Sequence, residues 1–152
     1  MIYVECKPDA TLVQVLTQLP RREIVHELKG KYEVVKRISN GRNARGLVDE
    51  DPEATQPAYF GRMRLEEDFP YRGLKLLQDA GSNHVILLCP KLEDWIIRAA
   101  REVNVSLDHY NLFNDPRRLH QVINIDLRRF ERLVQDLRSA PRLRCLLRLL
   151  NL

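Results

Sequence analysis

Two apolar spacings alternate along the first hundred residues. Ile2-Tyr3-Val4 is a short run of β-type side chains. Leu12, Val13, Val15, Leu16 and Leu19 then recur at the spacing of one helix face, with Pro8 suited to the first turn and Asp9 adding a favourable negative charge there, before Pro20 ends the pattern. Glu23-Ile24-Val25-His26 reads as a second strand. After Gly30, Val34, Val35 and Ile38 predict a short helix over 32–38, although Tyr32-Glu33-Val34-Val35 is equally good strand material. Ala44 to Val48 predicts a third strand that runs into Asp49-Glu50-Asp51-Pro52.

The stretch from Glu53 to Gly73 is polar, rich in Pro and Arg and without a period, which reads as a long surface excursion. Leu74–Gln78 and Val85–Cys89 flank the turn-rich Asp79-Ala80-Gly81-Ser82-Asn83, the pattern of a hairpin. Pro90 opens a helix whose Leu92, Trp95, Ile96, Ala99 and Val103 share a face, so Trp95 reads as core. Beyond Asn104 every signal is helical. Asn114-Asp115-Pro116 has the form of a cap followed by an N1 proline. Asp126 can cap a helix bearing Leu127, Phe130, Val134 and Leu137, and Ser139-Ala140-Pro141 opens a last one with Leu143, Leu146, Leu147 and Leu150.

Strand and helix alternation through residue 104 predicts an α/β fold. Its compact, mostly parallel sheet carries helices on both faces, with one hairpin strand at an edge. The division expected is an α/β domain over 1–104 and an arginine-rich, all-helical extension over 105–152. In such sheets ligands bind at the carboxyl ends of the strands.

Charge sharpens this division. Residues 1–100 hold 15 Lys/Arg and 15 Asp/Glu, whereas residues 101–152 hold 10 Arg, no Lys and 6 acids, so the net +4 lies in the tail. Arginine suits bidentate phosphate contacts, which makes DNA or RNA a candidate partner; solvated helix faces account for the same arginines. The last helix has little polar face, so it is expected to bury against its own domain or a protein or oligomer partner. The three cysteines form neither a zinc pattern nor an even disulfide set. With no signal-like leader and no membrane-length apolar run, a cytoplasmic protein without a membrane partner is expected.

The chemistry gathers on acids. Glu5 closes the first strand, Asp49 the third, and Asp51 follows two residues later, so parallel strands bring all three to one edge. Clustered carboxylates repel and call for a compensating hard cation, Mg²⁺ or Mn²⁺. Val4-Glu5-Cys6-Lys7-Pro8-Asp9-Ala10 resembles the glutamate motif of TOPRIM domains, and Leu47-Val48-Asp49-Glu50-Asp51-Pro52 resembles their Asp-x-Asp motif. Val85–Cys89 running into Pro90-Lys91-Leu92-Glu93-Asp94-Trp95 is similar to a segment of small stand-alone TOPRIM-related proteins. The resemblance spans roughly residues 1–104. It implies a compact α/β sandwich and metal-dependent phosphoryl transfer on DNA or RNA. Glu5 would be general acid/base or metal ligand, and Asp49 and Asp51 would be catalytic and hold the cation.

Glu93, in the first turn of its helix, is a fourth candidate ligand, or else complements the helix dipole. Lys7, Lys29, Lys31 and Arg45 are candidate phosphate contacts, each also readable as surface charge. Asp9 and His26 are candidate supporting residues around the acids. Cys6, without a positioned base, reads as a small buried residue. Three functions compete: a Mg²⁺-dependent nuclease or related phosphoryl-transfer enzyme; an inactive TOPRIM-fold binding or regulatory module; and a receiver-like signalling domain, which the single Glu5 and the Asp49-x-Asp51 pair fit poorly.

Overall fold

The computed structural model describes residues 1–26 and 30–152. Its strands β1 (Ile2–Val4), β2 (Ile24–His26), β3 (Arg45–Asp49), β4 (Arg64–Phe69), β5 (Leu74–Gln78) and β6 (His84–Leu88) form one sheet in the order β2-β1-β3-β6-β5-β4. The first four in that order are mutually parallel; β5 pairs antiparallel with β6, and β4 pairs antiparallel with β5 and so runs with the first four. The helices are α1 (Lys7–Thr17), α2 (Lys31–Ser39), α3 (Leu92–Glu102), α4 (Pro116–Ile123), α5 (Arg128–Asp136) and α6 (Pro141–Leu150). The α/β class and the mostly parallel sheet are as the pattern predicts, and 32–38 resolves as helix. The helix after Pro90 begins two residues later, at Leu92.

Period-two alternation divides the strand side chains between two cores. Val4, Leu47, Leu74, Leu76, Ile86 and Leu88 point to the larger one, with the apolar faces of α1, α3, α4, α5 and α6. Val48, Val85 and Leu87 point to the other, where Val34 and Ile38 of α2 cover them. Both faces of the sheet are therefore clothed by helices. Trp95 is fully buried in the larger core, and its indole N–H donates to the Arg72 carbonyl at 2.8 Å.

Two expectations about the sheet edge are corrected. The β5–β6 hairpin does not supply the edge strand, because β5 lies inside the sheet and β4 pairs on its far side. That strand comes from the stretch read as a structureless excursion. Its residues, Arg64-Leu65-Glu66-Glu67-Asp68-Phe69, are exposed on both faces up to Phe69, so no apolar alternation marks them. Backbone pairing to β5 holds the strand, with an irregular register between Leu65 and Glu67. Its acids also guard the open edge against pairing with other chains.

The tail packs closely on the α/β unit. Leu119, Phe130, Leu133, Val134, Leu143, Leu146 and Leu149 are buried in the same core as α1 and α3. Arg142 of α6, itself 5% exposed, donates from Nε to Glu102 at 2.8 Å, and Arg45 donates to the Leu150 carbonyl at 2.6 Å. Asp115 caps α4 as its sequence suggested. α5 starts at Arg128 with Leu127 in the cap position, and Asp126 accepts from the Arg128 N–H. Among the described residues no helix is long and apolar enough to cross a membrane.

Gly46 shows how tightly α2 sits on the sheet. A Cβ there would overlap Ile38 Cδ1 and press on Val34 Cγ1 at 3.2 Å. Gly46→Ala should therefore lower the unfolding free energy by about 1–3 kcal/mol in urea titrations. An unchanged midpoint would mean that α2 can move off the strand freely.

Candidate functional site

The chain leaves β1 towards β2 and leaves β3 towards β6, so the connections diverge between the adjacent strands β1 and β3. That divergence opens a crevice at the carboxyl ends of the strands, where doubly wound sheets bind ligands. Glu5 follows β1 there, and Asp49 is the last residue of β3. α1 and α3 begin at the same edge and bring Asp9 and Glu93 in their first turns.

Hydrogen bonds tie these carboxylates to the frame. Glu5 Oε2 accepts from the Asp49 N–H at 3.4 Å, and Asp49 Oδ1 accepts from the Leu92 N–H at the start of α3 at 2.9 Å. The Cys6 thiol donates to Asp9 Oδ2 at 3.2 Å, while Asp9 Oδ1 is buried without a partner. Asp9 is 1% exposed and Glu93 7%. Burial first, and then the charges of Glu5 and Glu93, push the Asp9 carboxyl up to about 8. Burial, then Asp9, Glu5 and Glu93, push Asp49 up to about 9. Glu5 is raised chiefly by burial, against the Asp49 N–H and the Lys31 charge that draw it down. Burial and Asp9 drive the Cys6 thiol far above its ordinary range, so it serves as a hydrogen-bond donor and not as a nucleophile.

Asp9, expected only in support, is thus the deepest member of the cluster. Asp51 stands at its rim. Its backbone is left-handed at φ 45°, a conformation Asp tolerates better than most residues, and its carboxylate lies 3.6 Å from Lys91 Nζ. Glu50, between the two aspartates, turns away to Lys75 at 2.6 Å. Lys31 Nζ donates to the Glu50 carbonyl and to Gln56 at 3.0 and 3.2 Å, which keeps its charge close to Glu5. Lys7 is exposed on the first turn of α1, and His26, half-buried, ends β2 opposite Val4. Lys29 lies outside the described residues. Arg45 is corrected as a phosphate contact: it begins β3, whose other end carries Asp49, and it is bound to the end of α6.

Sequence reasoning missed His120. It belongs to α4, in the tail, and its Nδ1 lies 2.6 Å from Glu93 Oε1. Nothing in its local sequence marks it, because only tertiary packing of α4 on α3 brings the two together. Beside this pair lies a cleft of about 760 Å³, lined among others by Asp49, Asp51, Lys91, Glu93, Arg117 and His120.

An all-oxygen donor set of hard carboxylates, with one buried oxygen lacking a partner, fits Mg²⁺ or Mn²⁺ in charge and donor type. Among the described residues, however, no three His, Cys, Asp or Glu side chains are gathered in a geometry that would hold a metal ion. The side chains would have to converge for a cation to bind. No family model matches the chain, and no curated protein or solved structure matches it significantly.

The raised carboxyls fix the sign of a pH effect. Free Asp titrates near pH 4, whereas Asp9 and Asp49 keep their protons towards pH 8 and 9 in the folded chain. Their contribution to stability is complete below about pH 4 and is lost as the pH rises through the folded values. In chelator, the melting temperature should fall steadily from about pH 4 to about pH 9. Asp49→Asn keeps a neutral side chain and the acceptor for the Leu92 N–H, so it should flatten that slope and melt higher than wild type at pH 8. A slope identical to wild type would show that Asp49 ionises normally.

Proposed function

We propose that the chain is a TOPRIM-like, divalent-metal-dependent phosphoryl-transfer protein acting on nucleic acid, with nuclease chemistry at the β1–β3 crevice. The observation that carries this reading is the set of mutually repelling carboxylates at the carboxyl edge of the sheet, half-buried Glu5 and Asp49 with buried Asp9 and Glu93, beside an open cleft. Asp49 and Asp51 would hold the cation, with Glu5 the general acid/base or a further ligand and Asp9 close behind. When bound, the metal would polarise a phosphoryl oxygen and favour ionisation of a water. Glu5, its proton affinity raised by burial, is suited to take a proton from the attacking water. The Asp49–Leu92 bond holds Asp49 fixed relative to α3, and Lys31 sits close enough to Glu5 to moderate its charge. Glu93, a candidate ligand by sequence, is engaged by His120 and serves here as a wall of the cleft.

A second reading, an inactive TOPRIM-fold binding module, draws support from the ungathered side chains. One assay separates the two: single- and double-stranded DNA and RNA are incubated with Mg²⁺ or Mn²⁺ and wild-type protein, Glu5→Gln or Asp49→Asn. The enzymatic reading expects metal-dependent cleavage that falls by roughly 10²–10⁴-fold in Glu5→Gln, with Asp49→Asn reduced as strongly. Cleavage that survives both substitutions sinks the proposed site. Nucleic-acid binding without cleavage by wild type favours the inactive module.

A further inference from the structure

We infer that the face of α4 carrying Arg117, His120 and Gln121 is the strand-binding wall of the cleft, and that it takes the phosphodiester backbone of a single-stranded nucleic acid. The inference rests on the proposed site and adds the surface that would hold its substrate. Residues 117, 120 and 121 are three and four apart on one helix, so they share a face, and all three line the cleft together with Asp49 and Asp51. The other face of α4 is fixed in the core by Leu119 and Ile123, both fully buried. The backbone of the wall is therefore anchored in the core.

The two arginines of α4 have different surroundings. Arg118 lies 3.9 Å from Asp115 and stacks over Phe113 with 5.5 Å to the ring centroid. Arg117 lines the cleft, and its guanidinium has no carboxylate partner among the described residues. The other cation on the cleft wall, Lys91, lies near Asp51. Arg117 is thus the planar, bidentate donor left for a ligand phosphate. His120 is held at Nδ1 by Glu93, which leaves Nε2 for a second contact. A cleft of about 760 Å³ is of the size that takes small ligands, room for a few nucleotides of one strand.

The test measures binding of labelled single-stranded and duplex oligonucleotides by fluorescence anisotropy, with Ca²⁺ in place of Mg²⁺ to suppress turnover. Melting curves confirm folding of each variant. The expected result is tighter binding of the single strand, weakened about tenfold by Arg117→Ala and partly recovered by Arg117→Lys, with the salt slope reduced by about 0.7 for one lost phosphate contact. His120→Ala should weaken binding as well, and Arg118→Ala should leave it unchanged. Equal losses at Arg117 and Arg118, no loss at either, or preference for duplex would overturn the assignment. A mononucleotide that competes as well as the strand would overturn the strand-binding claim. Single-strand binding that ignores Arg117 removes this inference alone, whereas no binding to any nucleic acid, with no cleavage by wild type, removes the functional reading too.

Discussion

Mutual repulsion among buried carboxylates governs the carboxyl edge of this sheet. Two like unit charges about 5 Å apart repel by roughly 3 kcal/mol at an effective dielectric near 20. The positive ends of α1 and α3 return about 0.3–1 kcal/mol each, at most ~2 when partly buried. Helix dipoles alone cannot offset several ionised groups, so the free protein answers with protons on Asp9 and Asp49. The remaining contacts at the edge follow from the same need. Backbone N–H groups of Asp49 and Leu92 face Glu5 and Asp49, and the Cys6 thiol faces Asp9. A cation in place of the protons would answer the same repulsion, and this links the raised carboxyls to the proposed chemistry.

The sequence made the placement of Glu5 and Asp49 legible because strand-end position depends only on local pattern and parallel topology. Ile2–Val4 and Leu47-Val48 are apolar runs that stop abruptly on an acid, and both end at one edge once β1 and β3 pair in parallel. The parallel order followed from alternation of the two apolar periods. β4 was not legible, because a strand exposed on both faces up to Phe69 carries no alternation and is set mainly by its backbone pairing to β5. Arg45 was misplaced for a related reason. It sits near Asp49 in sequence, yet a strand places its first and last residues at opposite edges. The depth of Asp9 follows from the N-terminal turn of α1 facing the sheet. Periodicity shows which face of α1 is apolar but not how close its first turn comes to Asp49.

His120 marks the limit of the pattern-based division at residue 104. The tail's helices were legible one by one from their caps and leucine stripes, but their docking was not. Their apolar faces meet those of α1 and α3, and each fully buried Leu, Val or Phe there contributes about 1.5–3 kcal/mol relative to exposure. The same surfaces of α1 and α3 would face water if residues 105–152 were absent. The sheet's larger core is therefore completed by the tail, and the arginine-rich composition describes only the outward faces of helices whose inward faces are leucine.

This arrangement bears on where substrate recognition resides. Cleft residues from the strand ends are mostly acids, which repel a polyanion in the absence of a cation. The cationic side chains of the cleft come from the start of α3 and from α4, through Lys91 and Arg117, with the His120 imidazole beside them. Lys91 is already near Asp51, and His120 is tied to Glu93, so both sit beside acids of the site. Arg117 has no carboxylate partner among the described residues and can meet an incoming phosphate without first breaking an ion pair. A helix that completes the hydrophobic core on one face and the ligand cleft on the other couples folding of the tail to assembly of the site.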